Sequence, residues 1–271
     1  MKGVYTPGEW SELRLLAAGK DVTVWINGTK TAELKDDPGA TSGHFALQLH
    51  GGDTMDVAYK DIKLRAINTR AGPVKVACVG DSITFGAGIK DRKKNNYPTQ
   101  LQGMLGDGYA VTNLGVNAAT LMKKGDKPYW KLKQFQAAQD LQPDIVVIKL
   151  GTNDTKPHNW KHKADYQPDY TEMIRTFQQL DSKPKVYICY PAPVVGEQWG
   201  INDKTVREEV IPLLDKIAKE TKATIIDLYA PLKDKPELLP DKVHPNAEGA
   251  TIIAETVQAA IAGKPAKPSG E

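Results

Sequence analysis

Short apolar runs alternate with segments of helical period from residue 74 to residue 262, and this alternation limits the fold more than any other feature of the chain. An apolar run is typical of a strand buried on both faces, and the helical segments supply the layers that cover it. Helical spacing is clearest in residues 202–219, and a last helix is predicted between Asn246, a good N-cap, and Gly263. The strand runs are VKVACVG, YAVTNLGV, DIVVIKL, KVYICY and ATIIDL.

Five β-α units in succession predict an α/β fold, specifically a flavodoxin-like three-layer α/β/α sandwich with a five-stranded parallel sheet. In the flavodoxin-like strand order 2-1-3-4-5, the first three strands are neighbours. Cys78 and Cys189 each fall inside a strand run, which predicts two buried thiols and no disulfide.

Before residue 68 the apolar period is two, which predicts a small antiparallel all-β domain of five strands. Asn27-Gly28 is a favoured two-residue hairpin turn because both positions tolerate positive φ. The apolar phase changes near Lys60 and Asp61, where we expect a β-bulge. The predicted domains are 1–67 and 75–262, joined by a linker at 68–74 and followed by a tail at 263–271. The apolar positions taken to face inward are Leu13, Leu15, Ala17, Val22, Val24, Ile26, Phe45, Leu47, Leu49, Val57, Tyr59, Ile62 and Leu64.

Charge and hydropathy exclude several classes of partner. The 36 Lys and Arg and 33 Asp and Glu are spread along the chain for a net charge of +3, so a nucleic-acid partner is not expected. The chain has no run near 18 apolar residues, and its start lacks the apolar region of a signal peptide, so no membrane partner is expected either. The compartment stays unassigned, because a secreted or periplasmic protein whose signal has been removed fits equally.

Polar groups follow the first three strand runs directly. Asp81 and Ser82 follow the first run, Gly115 lies at the end of the second, and Asn153 and Asp154 follow the third. In an open parallel sheet, ligands bind outside the carboxyl ends of the strands near the point where strand order reverses. We therefore expect the Ser82 hydroxyl, the Gly115 N–H and the Asn153 carboxamide to converge.

A serine hydroxyl needs a base before it can act as a nucleophile, and the segment PDKVHPN supplies one. His244 lies just before the last predicted helix, and Asp241 precedes it by three residues. At this spacing the carboxylate can accept from the imidazole Nδ1–H while Nε2 faces Ser82.

The motifs GDSIT, NLGV, GTND and DxxH, in this order, make residues 75–262 resemble the SGNH hydrolases, the GDSL-type esterases and lipases. The resemblance implies that Ser82 is the nucleophile, His244 the general acid and base, and Asp241 its orienting partner. It also implies an oxyanion hole made of the Ser82 N–H, the Gly115 N–H and the Asn153 side chain. The activity it implies is ester hydrolysis through an acyl-enzyme, with no cofactor.

Other site types fit these residues less well. Thr84 occupies the place of the last glycine in the Gly-x-Ser-x-Gly elbow, and GDSITFGAG is neither a P-loop nor a dinucleotide fingerprint. His158 and His162 lack the glutamate of a zinc-protease helix, so no metal is expected. Asp81, Trp160 and Trp199 are candidate pocket residues, and for each tryptophan ordinary packing is an equal alternative.

Residues near the start of the chain resemble the C-terminal half of a concanavalin-like jelly-roll domain of the 3-keto-disaccharide hydrolase-like type. The resemblance is carried by TPGEWSELRLL, DVTVWINGTKTAEL, GHFALQLHGG and VAYKDIKLRAI. A partial jelly roll leaves one apolar sheet face exposed to solvent. We therefore expect that face to pack on the later domain or on a second copy, as a homo-oligomer.

The module accompanies sugar-handling enzymes, which favours acetylated carbohydrate such as acetylxylan as substrate. A lipase or thioesterase for longer acyl chains and a glycan-binding protein with a vestigial site remain the alternatives.

Overall fold

The computed structural model describes residues 3–39, 46–47, 57–64 and 72–262. The chain divides into two compact units, residues 1–71 and residues 72–271. Among the described residues, no helix combines the length and the apolar character needed to cross a bilayer.

The described part of the first unit contains a three-stranded antiparallel sheet in the order β1-β2-β3. The strands are β1 (Leu13–Ala18), β2 (Asp21–Ile26) and β3 (Thr29–Leu34). The predicted Asn27-Gly28 turn is confirmed, because it links β2 directly to β3 with φ of 47° and 77°. The Asn27 side chain also accepts from Glu12 N at 2.8 Å, which ties the turn to the chain entering β1.

The register places the predicted apolar positions of β1 and β2 on one face. Leu13 pairs with Ile26 and Leu15 with Val24, so these side chains point the same way. Leu13 is 60% exposed and Leu15 52% exposed. This sheet face of the first unit is therefore apolar and exposed to solvent.

In the rest of this unit, the structure contradicts the strands predicted at residues 57–64 and does not test the strand predicted around residues 45–49. The described residues 57–64 form no strand and are exposed, so the strands and the bulge expected near Lys60 and Asp61 are wrong. Asp61 has a φ of 53°, which interrupts extended backbone whatever the apolar period. A bulge does occur elsewhere, as a register shift at Val24/Trp25 in the β2–β3 pair. The strand expected around Phe45, Leu47 and Leu49 lies outside the described residues apart from 46–47. Residues 65–67 of the predicted first domain, residues 68–71 of the predicted linker and the tail at 263–271 also lie outside them.

The second unit is built on a five-stranded parallel sheet in the order β10-β7-β6-β4-β5. When these five strands are numbered 1 to 5 along the chain, their order is the predicted flavodoxin-like 2-1-3-4-5. Each strand lies at its predicted apolar sequence run. The first strand begins at Val74, which the sequence assigned to the linker. The sheet strands are β4 (Val74–Gly80), β5 (Tyr109–Gly115), β6 (Ile145–Lys149), β7 (Lys185–Tyr190) and β10 (Thr224–Asp227); a small hairpin adds β8 (Glu197–Gln198) and β9 (Ile201–Asn202).

Helices follow the strands as the alternating pattern predicts. A π-helical turn, Val206–Val210, joins α7 (Asp203–Thr205) to α8 (Ile211–Thr221), so the segment predicted as one helix from residue 202 has three parts. The helices are α1 (Ser82–Phe85), α2 (Arg92–Asn95), α3 (Tyr97–Leu105), α4 (Lys133–Asp140), α5 (Pro157–Trp160), α6 (Tyr166–Gln178), α7 (Asp203–Thr205), α8 (Ile211–Thr221) and α9 (Ala247–Ala262); single 3₁₀ turns are Tyr129–Lys131, Asn153–Thr155, Lys163–Asp165 and Pro236–Leu238.

Alternate residues of the central strand enter two different cores, which makes the three-layer architecture. Ala77 and Val79 pack with residues of α4, α6 and α8. Val76 and Cys78 pack with residues of α3 and α9 on the other face. Both cysteines are free and buried, and burial raises the pKa of the Cys78 thiol to about 12.

The last helix begins where its capping residue predicts. Gly249 N donates to Asn246 Oδ1 at 2.9 Å, so Asn246 is the N-cap. The helix α9 then docks on α3, because Gln100 Nε2 donates to Ala247 O at 3.1 Å and Thr251 Oγ1 donates to Gln100 Oε1 at 2.6 Å. This contact holds the first turns of α9, which begin three residues after His244, against α3.

A single glycine lets α1 approach β5. A Cβ added to Gly115 would lie 2.2 Å from Phe85 N, a backbone atom that cannot move alone. We expect Gly115→Ala to lower the free energy of unfolding by about 1–3 kcal/mol, the usual cost of overpacking.

Gly103→Ala is the matched control, because Gly103 lies exposed in α3 with nothing within 4 Å of an added Cβ. This change should raise the free energy of unfolding by roughly 0.5–1 kcal/mol. Urea denaturation of both variants measures the difference, and equal effects would contradict the close approach at Gly115.

Candidate active site

The carboxyl ends of three adjacent strands form the floor of the candidate site. In the sheet, Gly80 at the end of β4 pairs with Gly115 of β5 on one side and with Lys149 of β6 on the other. Residues that follow these three positions therefore start from the same edge. Ser82 and Asn153 lie two and four residues beyond it.

Ser82 is the first residue of α1, and Asp81 is its N-cap. Asp81 Oδ1 accepts from Ile83 N at 3.0 Å, which fixes the turn between strand and helix. The Ser82 N–H is one of the first N–H groups of a helix and has no acceptor within the helix. The turn thus presents the hydroxyl and the N–H of Ser82 at the strand end.

The structure brings Ser82, His244 and Asp241 into hydrogen-bond order. His244 Nε2 lies 2.7 Å from Ser82 Oγ, and His244 Nδ1 lies 2.7 Å from Asp241 Oδ2. An ionised carboxylate only accepts, so Nδ1 carries the proton and the Nε2 of a neutral imidazole accepts from the serine hydroxyl. This arrangement can move the serine proton onto the imidazole.

Asp241 also fixes the loop in which it lies. Its Oδ1 accepts from His244 N at 2.6 Å and from Val243 N at 3.0 Å. Partial burial acts to raise the pKa of Asp241, but these bonds and the imidazole N–H outweigh it, so the pKa lies below its usual value. The carboxylate is therefore ionised at neutral pH.

Asn153 is buried with its amide already oriented. One Nδ2 hydrogen goes to Ala119 O at 3.1 Å, and the amide group has a second hydrogen to give. Asn159 Nδ2 donates to Asn153 O at 3.0 Å and to Asp126 Oδ1 at 3.1 Å, which holds the Asn153 backbone. The sequence did not single out Asn159 or Asp126.

The N–H of Gly115 donates to a side chain in this structure. Its acceptor is Oδ1 of Asn113 at 2.9 Å. The predicted oxyanion partner forms only during the reaction, so that role of Gly115 stays a prediction. The glycine is also required because the backbone of α1 passes so close to it.

Asp81 is not a pocket residue, which corrects the sequence prediction. It is 0% exposed and forms an ion pair with Lys149, which is 1% exposed, at Nζ–Oδ distances of 3.0 and 3.1 Å. Lys149 Nζ also donates to Thr152 Oγ1 at 2.7 Å. The sequence signal for this pair was a lysine inside the apolar run DIVVIKL, where a buried charge requires a buried partner.

Asp154 is a second buried carboxylate beside Asn153. Burial raises its pKa to about 7, although Leu121 N and Met122 N donate to it at 2.9 and 2.8 Å. These two bonds fasten the segment after β5 to the turn that carries Asn153. Asp154 therefore stabilises the position of the turn that carries Asn153.

The two candidate tryptophans lie in different surroundings. Trp160 is buried edge-on against Tyr166, and its Nε1 donates to Glu209 Oε2 at 3.0 Å, so it packs in the core and is not the predicted pocket wall. Trp199 is 56% exposed, and its ring centroid lies 5.6 Å from that of His244. Of the two, Trp199 borders the site.

Removing one charge of the Asp81–Lys149 pair should destabilise the fold. Lys149→Met leaves a buried carboxylate unpaired, and we expect the free energy of unfolding to fall by about 3–5 kcal/mol. The double variant Lys149→Met, Asp81→Asn removes both charges and keeps an N-cap oxygen, so it should recover most of that loss. Urea denaturation of the single and double variants measures this coupling, and additive losses would contradict it.

Comparisons with known proteins agree with this architecture. Residues 78–252 match the GDSL-like Lipase/Acylhydrolase family, and residues 2–65 match the 3-keto-alpha-glucoside-1,2-lyase-like domain. Both resemblances predicted from sequence are confirmed.

Two curated relatives are larger proteins. The chain is 42% identical over 206 residues to an acetylxylan esterase of Xylanibacter ruminicola, covering 69% of this chain and 43% of that protein. It is 24% identical over 225 residues to a multidomain esterase of Ruminococcus flavefaciens, covering 68% of this chain and 28% of that protein. The chain spans less than half the length of these relatives.

Solved structures share the fold of the second unit. Est24, a carbohydrate acetylesterase from Sinorhizobium meliloti, aligns with a TM-score of 0.57 at 20% identity over 70% of this chain and 98% of that one. The acetyl xylan esterase AlAXEase aligns with a TM-score of 0.55 at 25% identity over 69% of this chain and 100% of that one. Because the family match extends over more than half of the sequence and contains the strand ends described above, the chain belongs to the GDSL-like lipase/acylhydrolase family.

Proposed function

We propose that this protein is a serine esterase that hydrolyses short-chain carboxylic esters through an acyl-enzyme, and that its substrates are O-acetyl groups on carbohydrate. One observation carries the chemistry: His244 Nε2 lies 2.7 Å from Ser82 Oγ while Nδ1 lies 2.7 Å from Asp241 Oδ2. Nucleophile, base and orienting carboxylate are thus in the order that acyl transfer needs.

Acylation begins with proton transfer from Ser82 Oγ to His244 Nε2 as Oγ bonds to the ester carbonyl carbon. The carbonyl π electrons move onto its oxygen, and Asp241 stabilises the imidazolium that forms. The C–O bond to the alcohol then breaks, and the imidazolium gives its proton to the departing alcohol oxygen. The acyl group is left on Ser82.

The oxyanion of the tetrahedral intermediate needs donors that are already in place. The Ser82 N–H at the start of α1 and the second Nδ2 hydrogen of Asn153 fit this role. The bond from Asn153 Nδ2 to Ala119 O supports it, because it fixes the amide plane before substrate arrives. The Gly115 N–H is the third proposed donor, and it would exchange Asn113 Oδ1 for the oxyanion.

Deacylation repeats the same steps with water. His244 takes a proton from a water molecule that attacks the acyl carbon, and it returns that proton to Ser82 Oγ as the acid leaves. Each catalytic group ends in its starting state, so the cycle consumes one water and one ester.

The substrate assignment is supported by relatives. The more similar of the two curated proteins described above is an acetylxylan esterase, and the neighbouring solved structures include a carbohydrate acetylesterase. The intact hydrogen-bond order at Ser82 favours an active enzyme over a glycan-binding protein with a vestigial site.

Kinetics of three variants test the chemistry. Ser82→Ala should lower kcat more than about 10⁴-fold, because the nucleophile is gone. Asn153→Ala should lower kcat about 10²- to 10³-fold through loss of one oxyanion donor. Gln136→Ala, which removes an exposed amide on α4, should leave kcat unchanged and serves as the control.

Acetylated xylo-oligosaccharides and nitrophenyl esters of graded chain length are the substrates for this assay. We expect the wild type to prefer acetyl over octanoyl esters. Substantial turnover by Ser82→Ala, or a preference for octanoyl esters, would contradict the proposal.

We also infer that the apolar face of β1–β3 pairs with the same face of a second copy. Leu13, Leu15 and Leu34 project from this face and are all more than half exposed. An exposed apolar patch of this kind is typical of an interaction surface.

Light scattering at micromolar concentration tests this inference. The wild type should be a dimer, and Leu15→Glu should shift it to a monomer because a charge is placed in the interface. Lys30→Glu, on the opposite sheet face, should leave the dimer intact. A monomeric wild type would refute the pairing.

A further inference from the structure

Trp199 is a large apolar side chain left exposed directly beside the imidazole of the candidate site. Its ring lies 5.6 Å from the His244 ring, centroid to centroid, with 45° between the planes, and 56% of the residue is exposed. Exposed indole surface thus lies next to the imidazole that would meet a substrate. An exposed indole there can bind a ligand rather than serve the core.

The backbone at Trp199 is unusual for such a residue. Trp199 and Gly200 form the two-residue turn between β8 and β9, with φ of 54° and 79°. Asparagine, aspartate or glycine ordinarily occupies the first position of this turn, because left-handed backbone is strained for bulky side chains. A strained residue at the edge of a site points to a functional requirement for that side chain.

The base of this hairpin is fastened to the loop that carries His244. Val195 N donates to Lys242 O at 2.9 Å, and Val194 and Ile201 pack with Val243 in a small buried cluster. Trp199 and His244 therefore lie on two segments, the β8–β9 hairpin and the His244 loop, that are bonded to each other. The hairpin as a whole cannot shift away from the His244 loop without breaking these contacts.

The role of His244 determines which part of a substrate meets Trp199. In acylation the imidazolium gives its proton to the alcohol oxygen as the acyl C–O bond breaks. The alcohol must then lie against the imidazole, and the group bonded to its oxygen lies within a few ångströms of it. For an acetylated glycan that group is a pyranose ring.

We propose that Trp199 is the binding platform for the pyranose ring that carries the ester, the leaving-group subsite of this enzyme. The flat indole offers an apolar face to the axial C–H bonds of the sugar and leaves its hydroxyls in water. This proposal rests on the proposed function, and it assigns selectivity for the alcohol part of the ester to a residue that takes no part in bond making.

The test compares two acetate esters, acetylated xylotriose and ethyl acetate, which share the acyl group and differ in the alcohol. The measured quantity is the ratio of their kcat/KM values. Trp199→Ala should lower this ratio at least tenfold, mainly through a higher KM for the sugar ester. Trp199→Phe should keep it within about threefold, because an aromatic face remains.

Two further variants separate binding from folding. Trp199→Asn suits the left-handed turn, so it should fold well and still lose the ratio as Trp199→Ala does. Glu197→Ala, an exposed change on the same hairpin, should leave both kcat/KM values unchanged.

An unchanged ratio in Trp199→Ala and Trp199→Asn would overturn the proposal, and so would an equal loss on both esters, which would place the effect on His244. Octyl acetate provides a third arm: if its turnover falls as much as that of the sugar ester, the indole binds any apolar alcohol and no sugar platform exists. A wild type inactive on every ester would instead refute the proposed function.

Discussion

The buried Asp81–Lys149 ion pair is the interaction on which the geometry of the second unit depends. It joins the turn after one strand to the end of the neighbouring strand, with both charged groups shielded from water. The same carboxylate caps the short helix that begins with Ser82. Separating the pair would leave a buried charge without a partner, which is strongly destabilising. The two strand ends and the serine turn are therefore fixed relative to one another.

The parts of the site differ in how they are supported. Ser82 and Asn153 follow rigid strand ends, whereas Asp241 and His244 lie in a loop ordered by its own N–H bonds to the carboxylate. Trp199 lies at the tip of a small hairpin. The proposed nucleophile therefore lies on the rigid scaffold, whereas the proposed base and the proposed sugar platform lie on loops, where substrate preference can vary without a change of fold.

Local signals explain what could be predicted from the sequence. The strand runs, the Asn27-Gly28 turn and the Asn246 cap each depend on a few adjacent residues, and the strand order followed from the β-α alternation. The convergence of Ser82 and His244 could be argued because parallel strands end at one edge of a sheet.

Other features depended on contacts that no local pattern reveals. The partner of Asp81 is 68 residues away, and the acceptor for the Gly115 N–H is a side chain two residues back that could equally have pointed elsewhere. Trp160 and Trp199 have similar local sequence surroundings, each following polar residues, yet one is buried and one exposed. At residues 57–64, apolar alternation alone did not produce a strand.

The hydrogen bond between Ser82 and His244 joins residues 162 positions apart, one after the first strand of its unit and one just before the last helix. The loop that carries His244 leads into α9, which docks on α3 through Gln100. The proposed nucleophile and base are thus assembled from two distant parts of the second unit, and their pairing exists only when that unit is folded.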